Sequence, residues 1–344
     1  MPTYRLTQPN LTALLDRVAG DRQVLKSVPV RDTDQYTYRI HRPGEPFEYA
    51  GFRASPSLKG VLFPIREKMG TFPAESTEAP ELAPVPMVVG AAACDLKALA
   101  SLDAVFLEQD FVDPFYQQRR DALRVISQDC TDPRPSCACT YLGFKPYPEE
   151  GYDLNLSQVE GEYLAETGGA HGERLVEEHR DLFQEATDAQ LAQREDKRQA
   201  AVRAVEDLNR EYELPTTRQE LLRREHTDEQ WHEAVDTCVE CAACLFTCPT
   251  CHCFLLADQP AGAGAERWRV WDACSYAGYG RMAGGGTPRP ALVERFRHRY
   301  AHKFDYFVDR YGFEMCSGCG RCIEGCAGKI DMREVFRSLA SARV

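Results

Sequence analysis

The stretch CVECAACLFTCP, residues 238–249, spaces its cysteines as Cys238-x2-Cys241-x2-Cys244-x3-Cys248-Pro249. The pattern returns as Cys316-x2-Cys319-x2-Cys322-x3-Cys326. Three thiolates at two-residue gaps wrap one face of an iron–sulfur cubane through a tight turn, whose backbone N–H groups face the sulfides. The fourth cysteine starts a helix leaving the site and so reaches the other cluster. The spacing therefore assigns Cys238, Cys241, Cys244 and Cys326 to one [4Fe–4S] cluster, and Cys316, Cys319, Cys322 and Cys248 to a second. Structural zinc prefers two ligand pairs divided by a longer spacer, which four cysteines within 11 residues, twice over, fit badly. Two positions depart from the ferredoxin pattern: Ala242 stands where glycine is common, and Ala327 follows the second motif in place of proline. Alanine tolerates a tight turn less well than glycine, but neither change removes a ligand. The long gap between the motifs implies helices carrying them and an insertion between.

The chain has 344 residues and 15 cysteines. It starts Met1-Pro2-Thr3-Tyr4-Arg5 and runs on polar, unlike an apolar export core. A cytoplasmic location is expected, where thiols stay reduced and a disulfide framework is excluded. No apolar run of about 18 residues occurs, so no transmembrane segment is expected. Acidic side chains outnumber basic ones, 53 to 41, and residues 151–235 carry most of the excess, with 21 Asp/Glu against 10 Lys/Arg. From Ala261 onward the balance reverses, 14 basic to 9 acidic. This argues against general nucleic-acid binding; the acidic segment reads as a solvated helical face.

The fold expectation is α+β in three parts. Residues 1–150 form a mixed α/β domain, residues 151–235 an acidic, largely helical connection after a strand or two, and residues 236–344 a mainly helical, ferredoxin-like domain with two clusters. Strands are expected at 36–40, 85–90 and 123–127. A helix follows from Asp95, with Cys94 on the turn before it, and Cys130 follows the 123–127 strand. Pro73 to Pro86 reads as a surface loop. Asp188 to Leu214 lacks Pro and Gly and reads as helix; Thr217-x-x-Glu220 and Thr227-x-x-Gln230 fit capping boxes. Ala291 to Tyr311 is again helical.

Seven cysteines remain. Cys94, Cys130, Cys137 and Cys139 sit on loops after neighbouring strands. A third cluster is the favoured reading; small buried residues are the alternative. Cys251, Cys253 and Cys274 read as packing around the clusters and tuning their solvation, with a ligand role the alternative. Arg295, Arg297, Arg299 and Lys303, with His298 and His302, read as charge compensation beside anionic clusters or as a docking face. No zinc-protease, hydrolase, P-loop or dinucleotide-binding motif occurs. No catalytic residue is assigned.

These blocks resemble the iron–sulfur β subunit of the soluble sulfhydrogenases, NADP-linked nickel–iron hydrogenases. The resemblance lies in Cys238 to Cys253, Trp271-Asp-Ala-Cys274, Pro288-Arg-Pro290 with Arg295 to Lys303, and Cys316 to Cys326. Cys94-Asp95-Leu96-Lys97-Ala98-Leu99, Asp113-Pro114-Phe115-Tyr116 and Cys130 through Cys139 extend it. The iron–sulfur subunit of anaerobic sulfite reductase shares the pattern. The resemblance implies an electron relay between a flavin/NAD(P)-binding subunit and a catalytic redox subunit, with nickel–iron hydrogenase ranked ahead of sirohaem sulfite reductase. A freestanding ferredoxin-type carrier would not need so large an N-terminal region. An iron–sulfur enzyme working at an open cluster corner is a further class.

Overall fold

A computed structural model describes residues 2–73, 82–108, 110–224 and 228–341. Its strands, in chain order, are β1 (Thr3–Leu6), β2 (Val24–Pro29), β3 (Tyr36–Ile40), β4 (Arg66–Phe72), β5 (Met87–Ala92), β6 (Arg124–Gln128), β7 (Leu154–Val159), β8 (Glu162–Thr167), β9 (Gln184–Glu185), β10 (Phe254–Ala261) and β11 (Gly264–Trp271). One sheet has eight strands in the order β3-β2-β5-β6-β7-β8-β1-β9. Its centre, β2-β5-β6-β7, is parallel, and its flanks are antiparallel. Strand β5, MVVGAA, is buried along its whole length, as a parallel strand covered on both faces should be. Helix Gln8–Asp21 covers one face with Leu11, Leu14, Leu15 and Val18, against Val89, Ile126 and Leu156. Helix Ala93–Phe106 covers the other with Leu96, Leu99 and Leu102, against Val88 and Val125. Each such leucine contributes roughly 1.5–3 kcal/mol by leaving water.

The expected strands at 36–40, 85–90 and 123–127 are present as β3, β5 and β6. The helix after β5 begins earlier than expected, at Ala93, because extended Ala92 caps it directly with no intervening turn. Cys94 therefore lies in the first helical turn. The sheet also continues past residue 150. Strand β7 pairs in parallel with β6, and β8 and β9 extend the same layer, so a division at 150 falls between hydrogen-bonded neighbours.

The acidic helix spans Asp188–Asn209 behind a capping box at Thr187 and tightens into a 3-10 turn at Arg210–Tyr212, short of Leu214. It buries the stripe Arg198, Ala201, Val205 and Asn209. The Thr217 capping box is formed. Thr227, and residues 74–81 of the Pro73–Pro86 loop, lie outside the described residues.

The C-terminal part is mainly helical. The insertion between the cysteine motifs opens with the β10–β11 hairpin. Strand β11 also pairs with the distant β4, in a three-stranded sheet ordered β10-β11-β4. This pairing ties the two halves together. Helix Leu292–Ala301 runs through a π turn, His302–Tyr306, into helix Phe307–Tyr311. Phe296, Tyr300 and Phe304 pack with Trp231 and Phe336 in its core. The architecture is α+β. No helix among the described residues is long and apolar enough to cross a membrane.

Candidate iron–sulfur sites

The eight motif cysteines line two cavities. Cys238, Cys241, Cys244 and Cys326 line one, together with Cys322, beside Arg295 and Arg299. Cys248, Cys316, Cys319 and Cys322 line the other, beside Arg299 and Lys303. Each motif thus sends its fourth cysteine to the other motif's cavity. In each, the third cysteine lies in a one-turn helix, Ala243–Phe246 or Arg321–Glu324, and the fourth follows that helix rather than starting one. A turn of helix advances the chain by about 5.4 Å, which moves the fourth thiol out of its own loop. Among the described residues, no three His, Cys, Asp or Glu side chains close on a point fit for a single metal ion. The cysteines surround voids instead, which suits an iron–sulfide cage better than zinc.

Both loops use left-handed backbone at matching positions. Glu240 and Ala242 have φ of 53° and 57°, and Gly318 and Gly320 have 65° and 73°. The second loop also has no room. A Cβ on Gly318 would lie 2.4 Å from the Ala138 carbonyl, and one on Gly320 2.4 Å from the Ser136 oxygen.

The charges around the voids fit an anionic occupant. Lys303 is 4 % exposed. Its ammonium donates to Cys248 Sγ at 3.3 Å and to Thr250 Oγ1 at 2.9 Å. The Lys303 carbonyl, within the π turn, accepts the Met315 N–H at 2.8 Å and fixes the approach to Cys316. Burial opposes the Lys303 charge, but the sulfurs of Cys248 and Cys251 outweigh it and hold the ammonium above its usual range. Arg299 lines both cavities, and its buried Nε has no hydrogen-bond partner. A buried cation needs an anion, and a thiolate-ligated cluster between these side chains is one. Arg295 and Arg299 are buried beside the cavities, with Arg295 paired to Glu240, whereas Arg297 is exposed. Burial pushes Cys316 up to about 12 and Cys322 to about 11. Such thiols ionise readily only when a metal supplies positive charge. The Ile330 N–H donates to Cys326 Sγ at 3.3 Å.

The four N-terminal cysteines also come together. Cys94 opens the helix after β5, and Cys130 follows β6, at the carboxyl ends of neighbouring parallel strands. That is where α/β sheets present their sites. Burial pushes Cys130 up, and Cys137 and Cys139 push it further. Burial likewise raises Cys94, with added repulsion from Asp95, Cys319 and Cys130. Burial takes Cys139 to about 12. The Arg134 N–H donates to Cys137 Sγ at 3.3 Å. This group abuts the second cavity: Ala138 lines that cavity, and its N–H donates to the Gly318 carbonyl at 2.8 Å.

Side chains that the motifs do not reveal clamp this contact. Arg321 pairs with Asp95 at 2.8 Å and donates to the carbonyls of Ala54 and Ser55. Arg53 donates to the Cys319 carbonyl and pairs with Glu324. Asn209 donates to the Cys137 carbonyl at 2.9 Å, and Arg333 donates to Asn209 and to the Pro135 carbonyl. A charged residue inside a cysteine motif was the available signal for Arg321. Nothing local marks Arg53, Asn209 or Arg333. Cys251, Cys253 and Cys274 line neither cavity. Cys251 packs on Cys248, and Cys253 on Cys274.

Residues 237–330 match the model of the 4Fe-4S dicluster domain family. The chain is similar to sulfhydrogenase 2 subunit beta of Pyrococcus furiosus, with 32% identity over 314 residues, covering 90% of each protein. The similarity reaches well beyond the cysteine motifs, into the sheet that positions Cys94 and Cys130. The chain therefore belongs to the family of sulfhydrogenase β subunits, iron–sulfur proteins of electron transfer.

Proposed function

We propose that this electron-transfer protein relays electrons between a flavin/NAD(P)-binding subunit and a catalytic, nickel–iron hydrogenase-type subunit of a soluble cytoplasmic complex. Cys238, Cys241, Cys244 and Cys326 hold one [4Fe–4S] cluster, and Cys316, Cys319, Cys322 and Cys248 a second. Cys94, Cys130, Cys137 and Cys139 hold a third. The observation that carries this reading is the exchange of Cys248 and Cys326 between two cavities that share Arg299 and Cys322. That exchange supports two cluster sites side by side, with the N-terminal cysteines against the second cavity.

When bound, the clusters supply one-electron redox chemistry. The chain's own residues tune it. Lys303 and Arg299 favour the more negative, reduced state, and the N–H groups of Ile330 and Arg134 stabilise sulfur charge. The buried setting keeps water from the second site, while Cys241 is exposed at the first and offers an exit toward a partner. With no dinucleotide fingerprint in the sequence, hydride chemistry is assigned to a partner's flavin.

Anaerobically purified protein should contain about 12 iron atoms, and about 8 in a Cys130→Ser variant. It should co-purify from its native host with a nickel-containing subunit. Stoichiometric zinc with negligible iron would overturn the cluster reading. A sirohaem partner would reassign the complex.

A further inference from the structure

Cys253 and Cys274 remain unused by the relay, yet the fold builds a contact between them. Phe254 of β10 pairs with Trp271 of β11, and beyond this pair the Asp272 N–H donates to the Cys253 carbonyl at 3.0 Å. The Asp272 carboxylate accepts the Ala273 N–H at 2.7 Å as the chain turns toward Cys274. The turn brings Cys274 and Tyr279 to Cys253, and Cys253 and Cys274 pack in one apolar cluster. Those two neighbours, Cys274 first, pull Cys253 below its usual range and favour its thiolate. A thiolate resting on a thiol is the reduced form of an exchangeable disulfide.

The surroundings connect this pair to the second cluster site. Cys253 and Cys274 share one apolar cluster with Cys248, Cys251, Phe307 and Met315. Buried Lys59 lies alongside. Its ammonium donates to the Phe246 carbonyl at 3.1 Å, sits 3.8 Å from the Trp271 ring centre, and is attracted by Cys251, Cys248 and Cys253. The pair thus lies in the same packed unit as a proposed cluster ligand, with positive charge to steady its anionic form.

We propose that Cys253 and Cys274 are a redox-active dithiol that exchanges an electron pair with the two C-terminal clusters. The proposal rests on the two-cluster reading for its electron acceptors. Oxidation breaks the Cys274 S–H bond and forms the Cys253–Cys274 S–S bond. Cys253, as thiolate, releases no proton; the Cys274 proton is released to water. Two electrons leave, one to each [4Fe–4S] cluster. The reverse step takes one electron from each reduced cluster and returns one proton. The pair would store two electrons beside a relay that moves them singly, which suits a protein coupled to hydride chemistry.

The test is a reductive titration of the intact, iron-loaded protein, anaerobic and mildly oxidised beforehand. Wild type should take up about two electrons more than either Cys274→Ser or Cys253→Ser at equal iron content. Acid quench, alkylation and peptide mass mapping of wild type should find Cys253 linked to Cys274 before reduction and both alkylated after it. This mapping needs no variant and stands if either variant fails to fold. Equal electron uptake in wild type and variants, or unlinked thiols in oxidised iron-loaded protein, would overturn the dithiol alone. Iron measured on the same samples keeps the claims apart, since negligible iron overturns the cluster reading itself.

Discussion

The loops Cys238–Cys244 and Cys316–Cys322 follow the same backbone path in opposite surroundings. The first faces solvent: Cys241 is exposed and Val239 is 65 % exposed. The second lies under the N-terminal cysteine loop, with Ala138 and Ser136 against its glycines. Ferredoxin-type loops are rich in glycine for two separable reasons, positive φ and close approach. The first loop meets only the φ demand, and it carries Glu240 and Ala242. The second meets both, and it carries Gly318 and Gly320. The pattern of glycines therefore marks which cluster site is docked against the rest of the protein.

The largest difference is electrostatic. Arg321 of the second loop and Asp95 have side chains 2 % and 0 % exposed. Arg295 pairs with Glu240 of the first loop, whose side chain is 41 % exposed. Removing one partner of a buried ion pair strands the other, and Asp95→Leu should cost about 3–5 kcal/mol. Glu240→Gln should cost about 1 kcal/mol or less, because its pair is screened by water. Denaturation of the iron-loaded variants measures both, and equal losses would break the contrast.

Close approach comes next. Gly320→Ala places a Cβ against the Ser136 carbonyl and forces alanine into left-handed backbone, a combined cost of about 2–4 kcal/mol. The variant should lose about 4 iron atoms from the second site and keep the first cluster. Full iron content with unchanged melting would show that the N-terminal loop does not constrain the second.

The two loops also differ in how much of them could be read in the sequence. The two cysteine groups were legible because iron–sulfur spacing is local, and so was the division of the fourth cysteines between two cavities, although each follows a short helix where the sequence suggested that it starts one. Strands β5 and β6 were legible as apolar runs. Strands β7 and β8 were harder to place in the sheet because LNLSQV carries polar residues that are buried. Asn155 and Ser157 donate to the Asp129 carboxylate, and Arg198 of the acidic helix pairs with it at 2.8 Å. A strand that buries polar side chains on such a network shows no clean alternation. The docking of the second loop was not legible, because Arg53, Asn209 and Arg333 come from distant segments that carry no motif.

A smaller effect separates the cluster sites electronically. Lys303 donates to Cys248 and lines the second cavity but not the first. Lys303→Met removes a buried positive charge that stabilises the reduced state, so the second cluster should become harder to reduce while the first holds its potential. A redox titration followed by electron paramagnetic resonance resolves the two. A shift of both clusters alike would mean that they share one electrostatic environment.

The smallest effect tests the first loop on its own terms. Ala242 holds φ of 57°, a conformation that costs a residue with a Cβ about 1–2 kcal/mol. Glycine would remove that strain but return about 0.4–1 kcal/mol through the greater entropy of the unfolded chain. Ala242→Gly should therefore stabilise the folded, cluster-bound protein by about 0.5–1 kcal/mol, read as a melting temperature higher by a degree or two. Iron content should not change, because no ligand moves. The opposite signs expected of Ala242→Gly and Gly320→Ala, at equivalent points of one backbone path, follow from the neighbour that the second loop has and the first lacks. A destabilised Ala242→Gly would mean that the first loop draws on its alanine side chain for packing, since Ala242 already lies in the apolar cluster with Leu245 and Phe307.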